Sequence, residues 1–352
     1  MRTIMNNLLC LLTLLMSACD VHQWPETPEF VKLHLRLDYD TDMTEWEYIY
    51  DDEAPVDLGF GKTYDNTLSH GKIRYIVRAY PDLGKQRSYE NVPEFVFTRD
   101  IADGYNHDVT LEVPPGRYNI AVWSDLVENE GDLQFYDAAD FSEIKLQGEY
   151  KGDTDYRDAF RGSGDIELIA GIVERAPDTL EITMRRPLAK FEFITNDVLE
   201  FVEKEASRKL SEANSGNSKV TDDTSTKVID IEDYKVVFYY VGFMPDAFNI
   251  FSDKPVDSTT GVMFESTLSK ITESEASMGF DYVFVNGRKS KVTVRIGIHD
   301  TENTQLALTE PIEIPLMRSY HTIVTGMFLM SEASGGVMVN PEYEGDHNLI
   351  YP

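Results

Sequence analysis

Cysteine is almost absent: 352 residues carry only Cys10 and Cys19. Everything beyond Cys19 therefore has no thiol for a disulfide framework, a cysteine zinc site or a thiol nucleophile. Such a chain must be held by its own core. Basic side chains are scarce as well, 32 Lys and Arg against 62 Asp and Glu, for a net charge of −30. That balance excludes nucleic acid and anionic lipid surfaces as electrostatic partners. Long hydrophobic runs are missing too. The apolar run at 8–16 is about half of the ~20 residues that a membrane-spanning helix needs.

Catalytic signatures are also lacking. The seven histidines are His22, His34, His70, His107, His299, His321 and His347, and no pair has metalloprotease spacing. Gly162-Ser163-Gly164 is not a nucleophile elbow, because the glycines sit one residue from the serine instead of two. Gly335-Gly336 and Gly59-x-Gly61 lack the strand–loop–helix setting of a phosphate loop. Paired carboxylates are so common here that a glycosidase pair would rest on chance. The expectation is a non-enzymatic protein without a cofactor.

The N-terminus carries a positive signal. Arg2 precedes the apolar run, and Leu15-Met16-Ser17-Ala18-Cys19 ends it on small residues and a cysteine. This resembles a bacterial lipobox, in which the cysteine becomes the first mature residue and carries lipid. Residues 1–18 are expected to be a lipoprotein signal peptide, Cys19 the lipid anchor, and 19–28 a tether. Each buried acyl methylene adds about 0.8 kcal/mol to membrane attachment.

The body of the chain alternates. Val31, Leu33, Leu35 and Leu37 face one way, and Lys32, His34 and Arg36 the other. Ile73, Tyr75, Val77 and Ala79 repeat the pattern against Lys72, Arg74 and Arg78. Period two predicts half-buried strands, and 19 Tyr and 18 Phe suit them. Further strands are expected at 94–98, 108–113, 117–123, 165–170, 180–184, 186–195, 234–241, 281–285, 291–299, 311–316 and 321–330. Pro115-Gly116 predicts a type II turn between two of them. Only 196–211 has helical spacing, through Val198, Phe201 and Val202, with Asn196 as its cap and Lys204, Arg208 and Lys209 toward its end. The polar stretch that follows, to 227, is too poor in apolar residues to offset its ordering cost. The fold class expected is all-β, with two β-sandwiches at 29–185 and 186–352, the second carrying the helix and a flexible insertion at 196–227. The strand 186–195 could close the first or open the second.

Two groups invite a site. Asp38, Asp40 and Asp42 have the spacing of the first three calcium ligands of an EF-hand loop, but Met43 and Ile49 break the pattern, which favours a solvated strand end. Trp46, Tyr48 and Tyr50 alternate on one face, and Tyr239, Tyr240 and Phe243 cluster later. Exposed, such rings stack on sugars; core packing is the plainer alternative.

Taken in order, the lipobox, LRLDYDTDM, PPGRYNIAVWSD, RRPLAKFEFIT, IPLMRSYHTIVTGMFLMSE and GGVMVNPEYEGDHN resemble the fimbrillin-like lipoproteins of Bacteroidetes, especially the fimbrial anchor group. The resemblance covers nearly the whole chain after Cys19. It implies two transthyretin-like β-sandwich domains, attachment to the outer membrane at the cell surface, and other fimbrillin-like subunits as partners. Stalk members of that family lose the first strand to a protease and take a neighbour's strand in its place. Here the first arginine after Cys19 is Arg36, inside the expected first strand, so an uncleaved anchor or accessory or tip subunit is expected. The rival is a surface lipoprotein that binds a glycan or host ligand through exposed, coplanar Trp46 and Tyr48. Intact-mass spectrometry is expected to find acyl mass on Cys19, and Cys19→Ala to release the protein from the membrane fraction. A membrane-bound protein with an unmodified Cys19 would refute the anchor.

Overall fold

A computed structural model describes residues 30–51, 54–67, 72–81, 95–101, 105, 107–127, 135–169, 178–215 and 229–331. In chain order the first strands are β1 (Val31–Tyr39), β2 (Asp42–Asp51), β3 (Ala54–Asp65), β4 (Lys72–Pro81), β5 (Phe95–Ile101), β6 (His107–Val113) and β7 (Gly116–Val127). Next come β8 (Tyr136–Asp137), β9 (Ile144–Leu146), β10 (Ala159–Leu168), β11 (Asp178–Met184) and β12 (Leu188–Thr195). After α1 (Val198–Ser215) follow β13 (Lys235–Tyr240), β14 (Met244–Asn249), β15 (Lys254–Thr259), β16 (Met263–Thr267) and β17 (Ser269–Lys270). The series ends with β18 (Ala276–Phe284), β19 (Lys289–His299), β20 (Gln305–Leu308), β21 (Ile312–Met317) and β22 (Tyr320–Gly326). The chain is mostly strand, with several sheets and one α-helix among the described residues, as the alternation predicts. The expected flexible insertion beyond Ser215 lies largely outside the described residues.

Two sheets share one core. The order β11-β1-β6 forms the first and β10-β7-β4-β5 the second. Leu33, Leu35 and Leu37 of β1 are fully buried against Tyr75 and Val77 of β4 and Ile120 and Val122 of β7. Each such side chain contributes roughly 1.5–3 kcal/mol by burial. The predicted outward row is outward: Arg36 pairs with Asp108 of β6 at 3.3 Å and Glu181 of β11 at 2.8 Å.

A second pair of sheets shares a larger core. One runs β17-β18-β12-β22-β2-β3, the other β16-β13-β19-β20, with β21 also on β19. Here β2 and β3, next to β1 in sequence, leave its sheet and extend this one. β2 pairs in parallel with β22, joining Thr44 to Tyr320 and Ile49 to Thr325. A fifth sheet, β15-β14-β9-β8, draws strands from both halves of the sequence.

The Pro115-Gly116 turn is not type II. Gly116 has no positive φ, and it already opens β7. The reason is topological: β6 and β7 belong to different sheets, so Pro114-Pro115 carries the chain between layers and no hairpin is closed. The helix also differs from expectation. It starts after Asp197, and the Asp197 carboxylate accepts from the Met330 amide at 2.8 Å, tying the segment beyond β22 to the helix start. It runs on to Ser215, so Arg208 sits mid-helix, bonded to Glu205 at 2.8 Å and Asp300 at 3.2 Å.

All these passages meet at Arg186, which is 1% exposed. Its Nε donates to the Asp158 carboxylate at 2.8 and 2.9 Å. Its other nitrogens donate to the carbonyls of Asp40, Asp42 and Asn66, and its plane lies 4.6 Å from the Phe160 ring. One guanidinium therefore fixes the crossing from β1 to β2, the exit from β3 and the entry to β12. Breaking a buried pair on one side costs about 3–5 kcal/mol. Urea unfolding of Arg186→Ala is expected to show a loss of that order, whereas Arg36→Ala should leave the midpoint nearly unchanged.

Candidate functional site

The feature least explained by packing is the hairpin of β2 and β3. β3 is twelve residues long, lies at the end of its sheet, and pairs only with β2 among the described residues. Such an edge leaves a row of main-chain N–H and C=O groups unpaired, which protein surfaces normally blunt. Here Val56, Leu58 and Phe60 are 53%, 55% and 59% exposed, and Ile49 of β2 joins them at 43%. Large apolar side chains grouped on one exposed strand mark an interaction surface.

Beneath it the hairpin is firmly seated. Trp46 and Tyr48 point into the core of the larger sheet pair, 5% and 6% exposed. The Trp46 indole donates to Asp57 at 3.0 Å, and the Gly59 amide donates to the same oxygen at 2.8 Å. The Gly59 amide, with Trp46, Tyr48 and the Lys289 ammonium, holds the Asp57 carboxyl below the usual carboxylate range, against the opposing effect of burial. Leu58 is the extra residue of a bulge between Glu47 and Tyr48, and Gly59 follows it at a φ of +94°. At the far end, Tyr64 contacts His321 at 2.8 Å, and His321 pairs with Glu192 at 3.1 Å.

Three rings gather on this hairpin. Phe60 lies 5.5 Å from Trp46 and 5.2 Å from Tyr320, the first residue of β22, and Trp46 and Tyr320 are 6.4 Å apart. Lys289, exposed at the start of β19, stands 5.3 Å from the Trp46 ring.

The residues singled out from sequence fall as follows. Cys19 lies outside the described residues. Asp38, Asp40 and Asp42 are all exposed, and no group of three or more His, Cys, Asp or Glu converges on a metal position among the described residues. The physical reason is the crossing from β1 to β2. That run is used through its carbonyls, which face Arg186, while its carboxylates point to solvent. Trp46 and Tyr48 are tilted by 55° and buried, so they do not form the exposed coplanar platform a sugar would need. Tyr240 is likewise internal, its hydroxyl donating to Asp281 at 2.7 Å. Val56, Leu58 and Phe60 were not anticipated. Their alternation in sequence was a strand signal, masked by Pro55, Gly59 and Gly61, which read as turn, and the bulge at Leu58 puts Val56 on the Ile49 face and Phe60 on the Trp46 face.

A family model described as a family of unknown function (DUF6562) matches residues 28–351. A comparison with curated proteins found no match. Among solved structures, the chain is similar to a Bacteroides thetaiotaomicron protein (DUF1812) proposed to bind polysaccharide, at 11% identity and a TM-score of 0.40 over 79% of each chain. It is similar to the fimbrial anchor protein Mfa2 from Porphyromonas gingivalis at 8% identity and 0.37, over 79% of this chain and 82% of that one. It is similar to a fimbrial assembly protein from Parabacteroides distasonis at 11% and 0.36, over 87% and 93%. These likenesses include the fimbrial anchor group that the sequence resembles.

Gly59 offers a direct check on the hairpin. A Cβ there meets nothing within 4 Å, so the penalty is conformational alone. Gly59→Ala is expected to cost about 1–2 kcal/mol in urea unfolding and to speed amide exchange along β3.

Proposed function

We propose that this chain, which belongs to the DUF6562 family, is a non-enzymatic outer-membrane lipoprotein that works as a fimbrial anchor or accessory subunit. Lipid on Cys19 would hold it at the membrane, and β3 would hold a neighbouring subunit. The observation that carries this reading is the twelve-residue edge strand β3, with Val56 and Leu58 exposed in its first half. Addition of a partner strand there would satisfy the open main-chain groups and cover Val56 and Leu58 together. Two transthyretin-like domains, divided near residue 185, belong to the same proposal. The β2–β3 hairpin of the first would then be lent to a sheet of the second.

The setting of β1 supports an uncleaved role. It is the central strand of its sheet, between β11 and β6, with three leucines fully buried. Arg36 stands in mid-strand with its guanidinium in two ion pairs. A protease would have to strip β1 from both neighbours before reaching that bond.

The test is a pull-down of C-terminally tagged protein from gently solubilised outer membranes, followed by mass spectrometry. Other fimbrillin-like subunits are expected with the wild-type chain and are expected to be lost with Val56→Lys combined with Leu58→Lys. Recovery of a lone lipoprotein from the wild-type membranes would overturn the proposal.

A further inference from the structure

This acidic chain carries a local excess of positive charge where its sheets meet. Asp253, in the turn between β14 and β15 at a φ of +56°, sits between two guanidiniums. One belongs to Arg318, in the turn between β21 and β22, whose Nη1 donates to Asp253 Oδ2 at 2.8 Å. Arg318 also donates to the Asp253 carbonyl at 2.7 Å and to the Val285 carbonyl at 3.0 and 3.2 Å, so it is held on every side. The other belongs to Arg161 of β10, whose Nη2 lies 2.6 Å from Asp253 Oδ1. Arg161 in turn faces Arg185, the residue after β11. The two exchange both main-chain hydrogen bonds at 2.9 Å as an antiparallel bridge. Residues so paired carry their side chains on one face, with Cβ atoms about 5 Å apart.

Like charges directly opposite on neighbouring strands repel. Arg318 and Asp253 neutralise each other, so Arg161 and Arg185 stand as adjacent cations. Three guanidiniums against one carboxylate leave two positive charges uncompensated. Arg185 is exposed, and its guanidinium has no ion-pair partner among the described residues. Arg161 is half-buried, and its Nε is enclosed without a hydrogen-bond partner. Burial pushes the Arg161 guanidinium below its ordinary value, and Arg318 and Arg185 push the same way, with Asp253 opposing.

We infer that Arg161 and Arg185 bind one doubly charged tetrahedral oxyanion, a phosphate or a sulfate. Its charge equals the local excess, and it gives the two cations the acceptor they lack. The planar fork of a guanidinium suits the oxygens of such an ion. Asp253 fixes Arg161 from behind, and Arg318 fixes Asp253, so the half-buried cation is already in place. The net charge of −30 does not forbid the site, because exposed charges are screened beyond about 8 Å at physiological salt. It does select the size of the ligand. A long polyanion would lay further charges along an acidic surface, so the ligand is a free ion or a single terminal phosphate. The site uses no residue of β2 or β3 and stands or falls independently of the strand edge.

The test is isothermal titration calorimetry of the full chain with sulfate, inorganic phosphate and glycerol 1-phosphate. Methyl sulfate, acetate and chloride at matched ionic strength are the comparators. The dianions are expected to bind, and methyl sulfate, of the same shape but with one charge, to bind about tenfold more weakly or worse. Glycerol 1-phosphate binding should strengthen as pH rises through about 6, where its second proton leaves, while sulfate binding stays level. Arg185→Gln and Arg161→Gln should each weaken sulfate binding by about tenfold or more, and Arg36→Gln should leave it unchanged. Circular dichroism checks the fold of each variant. Without a dianion, Arg185→Gln should melt no lower than the wild type, since it relieves a repulsion. The inference is overturned if sulfate and phosphate bind no better than acetate or chloride, or if folded Arg185→Gln binds sulfate as the wild type does. Equal affinity for glycerol 1-phosphate and phosphate identifies a terminal phosphate as the ligand, and preference for the free ions identifies an inorganic anion; either result supports the site.

Discussion

A guanidinium with no access to water organises this fold. Arg186 faces the Asp158 carboxylate and three carbonyls from two separate passages of the chain, the β1–β2 crossing and the exit from β3. The residue before Asp158 does the same job in the other direction. Arg157 lies 3.3 Å from Asp281, donates to the carbonyls of Lys151 and Tyr282, and stacks 4.2 Å from the Tyr150 ring. Burial alone would push the Arg157 guanidinium down, but Asp281 and the surrounding tyrosine hydroxyls turn the net shift upward, so it stays charged. Taking two ion pairs out of water is expensive, and well-packed apolar residues often do as well for stability. What the pairs supply is direction. Each donor has one set of acceptors that satisfies it, and a strand one residue out of place leaves a buried charge unmatched.

That constraint explains how sheets of such different composition stay joined. Met43, Trp123, Tyr136, Phe248, Tyr282 and Phe284 form a third core between the two larger ones, drawn from both ends of the sequence. Lys190 and the Tyr282 hydroxyl both reach Asp155, at 3.0 and 2.8 Å, on the same short turn that carries Arg157 and Asp158. The turn thus binds β12 and β18 at one side and receives Arg186 at the other. The β2–β3 hairpin hangs from this junction, which is why its inner face is so well seated while its outer strand is left to solvent.

Much of the local structure was legible before the fold. Leu33, Leu35 and Leu37 alternate with charged residues, and a charged residue has only one tolerable side, so β1 and its inward face followed directly. The aromatic run of β2 was harder. Trp46, Tyr48 and Tyr50 alternate with Glu47 and Ile49, which establishes a strand but not whether its aromatic side meets a core or a ligand. Only the arrival of β22, whose residues pair with β2 from 276 positions further along the chain, decides that, and no local pattern encodes it. β3 was missed because its glycines serve a bulge within a strand, not a turn between strands. The Pro-Pro-Gly segment was misjudged for the opposite reason. It is a turn, but one between layers, where the hairpin's geometry does not apply. The charged residues of the junction were invisible as a group, since Asp155, Arg157, Asp158, Arg186 and Asp281 become neighbours only through topology.

The parallel pairing of β2 with β22 also sets an order of events in time. The hairpin is made early, but the strand that completes its sheet ends at Gly326. Until then β2 has an open flank of its own, and the chain between must be laid down first. Contacts so distant in sequence close slowly, because the intervening loop must be ordered before they form. An apolar strand exposed through that interval is a hazard for wrong pairing. The same hairpin that ends as an outward edge therefore begins as the segment most in need of protection while the rest of the chain is still arriving.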